Sequence, residues 1–181
     1  MSILKVARMG HPVLREKARA IERNQITAPA TQRLIDDMIE TMTEYRGVGL
    51  AAPQIHHGLR LFVASLDAGN EGKDDEKESE PIAIINPEIV PVGSEVVEDW
   101  EGCLSIPDIR GRVPRARDIR LRAFNRAAER IELNVSGYSA RVLQHETDHL
   151  DGILFPDRMR SFESLTFLDE YSRYWREEGD E

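Results

Sequence analysis

His145-Glu146-Thr147-Asp148-His149 sets the strongest demand on this chain. On a helix, residues four apart differ by only about 40° in azimuth, so both imidazoles leave one face a single turn apart. Two ring nitrogens can then meet one metal ion. Glu146 lies about 100° from His145 around the axis, so it can stand beside that ion without binding it and accept a proton from water. A chance HExxH is uncommon in a chain of this length, on the order of one percent or less. Val142, Leu143 and Leu150 supply a buried side, Ser136 can cap the start, and Gly152 can end the run. A helix over 137–150 is the expectation.

Two histidines do not complete a catalytic site, which holds its ion with three protein ligands and leaves one position open. Glu163, Glu170 and Glu177 follow the motif and are available, as in zincin-type peptidases. The other candidate is Cys103. A lone cysteine is more often a small buried apolar residue than a ligand.

The apolar residues Leu34, Ile35, Met38, Ile39, Met42 and Tyr45 recur at steps of three and four. They predict an amphipathic helix from Pro29, with Thr27 as cap and Pro29 in the first turn. A short helix is expected from 11 to 20, a loop over 24–28, and a break after the amphipathic helix at 47–54. Strands are expected at 59–66, 82–85, 88–92 and 94–100. Segments 118–125 and 130–135 read as a hairpin across Arg126-Ala127-Ala128-Glu129. A solvated acidic loop fills 67–81, and a last amphipathic helix is expected over 162–175. Strands followed by helices indicate α+β rather than alternating βαβ.

At 181 residues the chain has the length of one domain, taken as 1–181. Its formal charge of −9 argues against a general nucleic-acid binder, which needs a basic face. The arginines of 110–122 do crowd together, but Arg120 and Arg122 alternate with Ile119 and Leu121, as on a strand with one wet face. No apolar run approaches the roughly 20 residues of a membrane span, and the N-terminus carries no secretory signal pattern. The single cysteine excludes an intramolecular disulfide and sets the cytoplasm as the default compartment.

Gly47-Val48-Gly49-Leu50-Ala51-Ala52-Pro53-Gln54, Glu101-Gly102-Cys103-Leu104-Ser105 and Gln144-His145-Glu146-Thr147-Asp148-His149-Leu150 resemble the three peptide deformylase motifs GxGLAAxQ, EGCLS and QHExDHL, in order and in register. Pro12, Leu14, Arg15, Gly152, Leu154 and Phe155 also fit, so the resemblance runs from about residue 3 to residue 160. It implies antiparallel strands wrapped around a central HExxH helix, with a C-terminal helix. It implies that Cys103, His145 and His149 bind one divalent ion, ferrous iron in the family, with zinc, nickel or cobalt accepted. Glu146 would be the general acid–base, and the Gln54 side chain and the Leu104 backbone N–H would face the oxyanion. Gly47, Val48, Gly49 and Gly102 would border the cleft, the glycines leaving room for an extended peptide to pair with the backbone. The implied reaction removes the formyl group from the N-terminal formylmethionine of new polypeptides.

Two features depart from the family. Arg141 stands where the pattern near the methionine pocket is apolar, and on the helix it reads as pointing to solvent. Some bacterial relatives dock on the ribosome through a basic terminal helix, whereas this chain ends Arg176-Glu177-Glu178-Gly179-Asp180-Glu181, which ribosomal RNA should repel. The competing readings are a zincin-like peptidase and a catalytically silent metal-binding homologue.

Overall fold

A computed structural model describes residues 2–66 and 80–176. The acidic stretch expected at 67–81 therefore falls mostly outside the described residues, as does the tail from 177.

Two antiparallel sheets enclose one helix. The first runs β1 (Gly49–Ala51), β2 (Leu61–Ala64), β3 (Ile82–Pro91), β6 (Asp118–Phe124), β7 (Arg130–Ser136) in that spatial order. The second runs β4 (Val96–Cys103), β5 (Ile106–Ala116), β8 (Thr166–Phe167). Between them lies α3 (Gly137–Leu150), the helix of the HExxH motif. The other helices are α1 (Arg23–Ile26), α2 (Pro29–Glu44) and α4 (Leu168–Tyr174). The fold is α+β, as expected, and among the described residues no helix is long and apolar enough to cross a membrane.

Two apolar clusters flank the first sheet. Ile35, Met38 and Met42 of α2 meet Leu50, Leu61, Val63 and Ile85. Ala140, Leu143 and Leu150 of α3 meet Phe62, Ile84, Ile119 and Leu121 from the strands. Strand residues of opposite parity serve opposite faces, as the pleat dictates. The chain leaves α2 through Arg46 at φ 53 and a Gly47 N–H bond to the Met42 carbonyl of 2.8 Å, which turns it directly into β1.

Several local expectations yield to tertiary partners. The segment after His11 makes only a 3-10 turn, Pro12–Arg15, because Ala18 donates its N–H to the Leu150 carbonyl and residue 19 bridges Leu59 in extended form. Residues 24–26 of the expected 24–28 loop instead belong to one helical turn, Arg23–Ile26, and Ala28 rather than Thr27 precedes α2. Ser136 occupies the cap position of α3 without a side-chain capping bond, while Gly152 takes φ +74 where its own hydrogen is all that fits against Arg15. The strands expected at 82–85 and 88–92 are one strand with a bulge at Asn86-Pro87. Proline has no N–H for the ladder, and the Asn86 side chain instead exchanges two hydrogen bonds with the Ile21 backbone. The 162–175 helix shortens to α4, because residues 166–167 pair with β5.

Candidate active site

Helix α3 and the β4–β5 turn bring the three motifs together. The Sγ of Cys103 and one ring nitrogen each of His145 and His149 lie within 4.8 Å of one another. Sγ is 3.3 Å from His149 Nε2. The cleft beside them holds about 670 Å³, and Gly47, Val48, Gly49, Gln54, Gly102, Cys103, Leu104, His145 and Glu146 all line it. His149 sits behind, 1% exposed. All ten residues singled out in the sequence thus gather at one place.

A thiol and two imidazoles, all nearly buried, form a donor set suited to a divalent transition ion. Of the sequence alternatives, Glu163 is exposed and Glu170 pairs with Arg173, so neither joins this cluster; Glu177 lies outside the described residues. Burial lowers His149 well below an ordinary histidine, which keeps its ring neutral as a ligand must be. Burial would lower His145 too, but hydrogen bonding to Cys103 and Glu101 outweighs it and raises that ring. Metal binding would then release a proton.

Glu146 projects from the same helix into the cleft wall, and burial pushes its carboxyl up to about 7. Its Oε2 is buried without a protein hydrogen-bond partner among the described residues. An acid near neutrality with an unspent acceptor can take and return a proton. Gln54 is oriented by its own turn. Its Oε1 accepts the Ala51 N–H at 2.7 Å, so Nε2 must face the other way, 3.5 Å from Cys103 Sγ and 3.2 Å from Ser105 Oγ. Leu104 caps the turn between β4 and β5 beside it.

The glycines serve the protein's own side chains. A Cβ at Gly49 would overlap the Glu146 carboxylate, one at Gly102 would overlap the Arg110 guanidinium, and one at Gly47 would come 2.9 Å from Leu104 Cδ1. Each of these Cβ positions is taken by a neighbouring side chain of the protein itself.

Glu101 is the residue whose part sequence reasoning missed. Its Oε2 accepts the Nδ1–H of His145 at 2.9 Å, leaving Nε2 to turn toward the cluster. Arg115 donates to both of its oxygens, at 2.9 and 3.1 Å, and Arg141 donates to Oε1 at 2.8 Å. Burial alone would raise the Glu101 carboxyl, but the bonds from His145 and Arg115 hold it well below the usual range. Arg115 continues to Asp148 on α3, which also binds Arg158. A signal existed: Glu101 and Cys103 are two apart on a strand and share its buried face.

Arg141 does not point to solvent. It is 5% exposed, and beyond Glu101 it donates to the carbonyls of Val113 at 2.7 Å and Val97 at 2.8 Å. A guanidinium carries five N–H donors, and this one directs Nη1 and Nη2 to the Glu101 carboxylate and to main-chain carbonyls of the second sheet.

The sequence matches the Polypeptide deformylase family over residues 3–164. It is 41% identical over 169 residues to "Peptide deformylase 2" of Nostoc sp., covering 93% of each chain. It is 44% identical over 163 residues to "Peptide deformylase" of Salinibacter ruber, covering 88% of this chain and 82% of that one. The fold superposes on a class I type b peptide deformylase of Acinetobacter baumannii with TM-score 0.81 at 35% identity, over 88% of this chain and all of that one. For peptide deformylase from Thermotoga maritima the TM-score is 0.78 at 38% identity, over 89% and 100%. With the same three motifs converging on one cleft, this chain belongs to the polypeptide deformylase family.

Proposed function

We propose that this protein hydrolyses the N-formyl group of the N-terminal formylmethionine on newly made polypeptides, releasing formate. The observation that carries the reading is the juxtaposition of Cys103, His145 and His149 with the near-neutral carboxyl of Glu146 and the fixed amide of Gln54. Cys103, His145 and His149 would hold one divalent ion, which when bound supplies the Lewis acidity that makes water nucleophilic near neutral pH. Ferrous iron is the ion we assign, with zinc, nickel or cobalt able to occupy the same mixed sulfur–nitrogen set.

Glu146 takes a proton from the attacking water as its oxygen bonds to the formyl carbon. The Gln54 amide and the Leu104 N–H donate to the oxygen on which negative charge builds, and each such donor is typically worth about 3 kcal/mol. Glu146 then returns the proton to the nitrogen as the C–N bond breaks, leaving formate and a free methionine amine. Gly47, Val48, Gly49 and Gly102 border the path of the peptide. An Acinetobacter baumannii relative has been solved bound to Met-Ala-Ser, a peptide with the unformylated start that such a reaction leaves. A reaction on new polypeptides belongs in the cytoplasm, which also suits the one free, buried cysteine.

The test is formate release from formyl-Met-Ala-Ser by anaerobically purified protein of measured metal content. Glu146→Ala is expected to keep its metal and lose about 100-fold or more in turnover. A fully active Glu146→Ala would overturn the mechanism. Cys103→Ala is expected to lose the ion; its retention would favour a peptidase-like site with another third ligand.

A further inference from the structure

The cleft has an outer wall that the family motifs do not supply. Leu168 and Tyr171, three apart on one face of α4, line the same cleft as the metal-ligand candidates, together with Trp100. The family model covers residues 3–164, so both α4 residues lie past the stretch it matches. The segment that bears them is anchored. Thr166 and Phe167 pair with Arg110 and Ile109 on β5, and the Arg112 N–H donates to Ser164 Oγ at 3.0 Å. Trp100 packs edge-on against Tyr171, ring centroids 4.9 Å apart, and lies 5.8 Å from the Trp175 ring.

Position along the strand says which part of a substrate this wall meets. Trp100 precedes Cys103 by three residues on β4, about 10 Å at roughly 3.3 Å per residue. An extended peptide advances at the same rate. With its formyl group at the Cys103–His145 cluster, its second and third residues would reach the aromatic wall.

We propose that Trp100, Leu168 and Tyr171 form a specificity wall for the two residues that follow methionine, favouring apolar side chains there. The inference rests on the deformylase reading for the direction in which the peptide lies. Apolar side chains laid against the half-buried Leu168, Trp100 and Tyr171 would leave water, whereas Ala or Ser would cover less of the wall.

The experiment compares formyl-Met-Leu-Phe with formyl-Met-Ala-Ser on the metal-loaded full chain. The wild type is expected to show a kcat/KM ratio of about 10 or more in favour of the apolar peptide, carried mainly by KM. Leu168→Ala/Tyr171→Ala should lower that ratio about tenfold, and the conservative Leu168→Met/Tyr171→Phe should retain it. A ratio near one in the wild type, or a ratio that the alanine pair shifts by less than about twofold, overturns the wall. Binding is read separately by intrinsic fluorescence, because the chain's two tryptophans, Trp100 and Trp175, both belong to this cluster. Titration with the deformylated peptides Met-Leu-Phe and Met-Ala-Ser should show tighter binding and a larger emission change for the first. If that discrimination held while no formate appeared, the wall would stand and the assigned reaction would fall. Equal binding of the two peptides would remove the wall whatever the reaction.

Discussion

Helix α3 is buried on two sides by opposite means. Toward the five-stranded sheet, Ala140, Leu143 and Leu150 pack on Phe62, Ile84, Ile119 and Leu121. Toward the three-stranded sheet, Arg141, His145 and Asp148, at helical steps of four and three, meet Glu101 and Arg115. Apolar burial is strong and non-directional: it holds the helix down but tolerates a small rotation. Charge-assisted hydrogen bonds are directional, and their net contribution to stability is small once desolvation is counted. The apolar side therefore supplies stability, and the ionic side sets the angle at which His145 presents its ring. The division can be broken by removing one side at a time.

The largest effect is expected from Glu101→Gln. The change preserves shape but leaves Arg115 and Arg141 without their shared carboxylate and frees the His145 ring. Unpairing buried charges costs about 3–5 kcal/mol, and loss of a ligand's orienting partner typically weakens metal affinity about 10- to 100-fold. Urea unfolding of the metal-free protein reads the first, and competition with a chelator the second. The pH dependence has a definite sign. Glu101 has a folded-state pKa below its ordinary 4.5, so its contribution is full above about pH 4.5 and fades as pH falls below it. Wild type should lose more stability than Glu101→Gln between pH 6 and about pH 3. Equal slopes would mean that the buried carboxylate is not the group being linked.

Leu143→Ala should destabilise by about 2–5 kcal/mol, since the side chain is fully buried among strand residues. Chelator competition on the folded protein should stay where it was. If this variant weakened metal binding as much as Glu101→Gln, the two sides of α3 would not be separable, and ring orientation would depend on packing as a whole.

The same division explains what could be read in advance. The apolar side of α3 announced itself through helical spacing, and the β6–β7 hairpin through alternation around a four-residue connection. The His145–His149 pair stood out as candidate ligands because metal chemistry restricts both residue type and spacing, whereas Cys103 was preferred to the glutamates through the family resemblance. Strand β5 was not legible: Pro107, Pro114 and three arginines hide an alternation whose inward positions are Gly111, Val113 and Arg115. Arg141 was read as wet because a charged side chain is rarely buried unless paired, and Arg115 passed unnoticed among the crowded arginines; their pairings with Glu101 join residues 40 and 14 apart in the chain. The fold of α4 onto the cleft was hidden for a related reason. A two-residue strand partner at 166–167 overrode the helical periodicity around it.

The smallest effect sharpens the comparison most, because chemistry and distance are held nearly constant. Arg122 and Glu132 sit directly opposite on β6 and β7 and meet at 3.0 Å, while Arg115 and Glu101, on the neighbouring strands β5 and β4 but four positions out of register, meet at 2.9 Å. The outer pair has side chains 62% and 49% exposed, whereas the inner pair has 5% and 4%. In water each outer partner regains hydration when the other is removed, and the pair is screened by salt. Arg122→Gln should therefore move stability by no more than about 0.5 kcal/mol and should leave metal affinity alone. The inner pair differs because neither partner can recover water, so its worth lies in what is lost when it is broken. A cost for Arg122→Gln approaching that of Glu101→Gln in the same urea titration would show that arginine–glutamate contact, rather than burial, governs both sites.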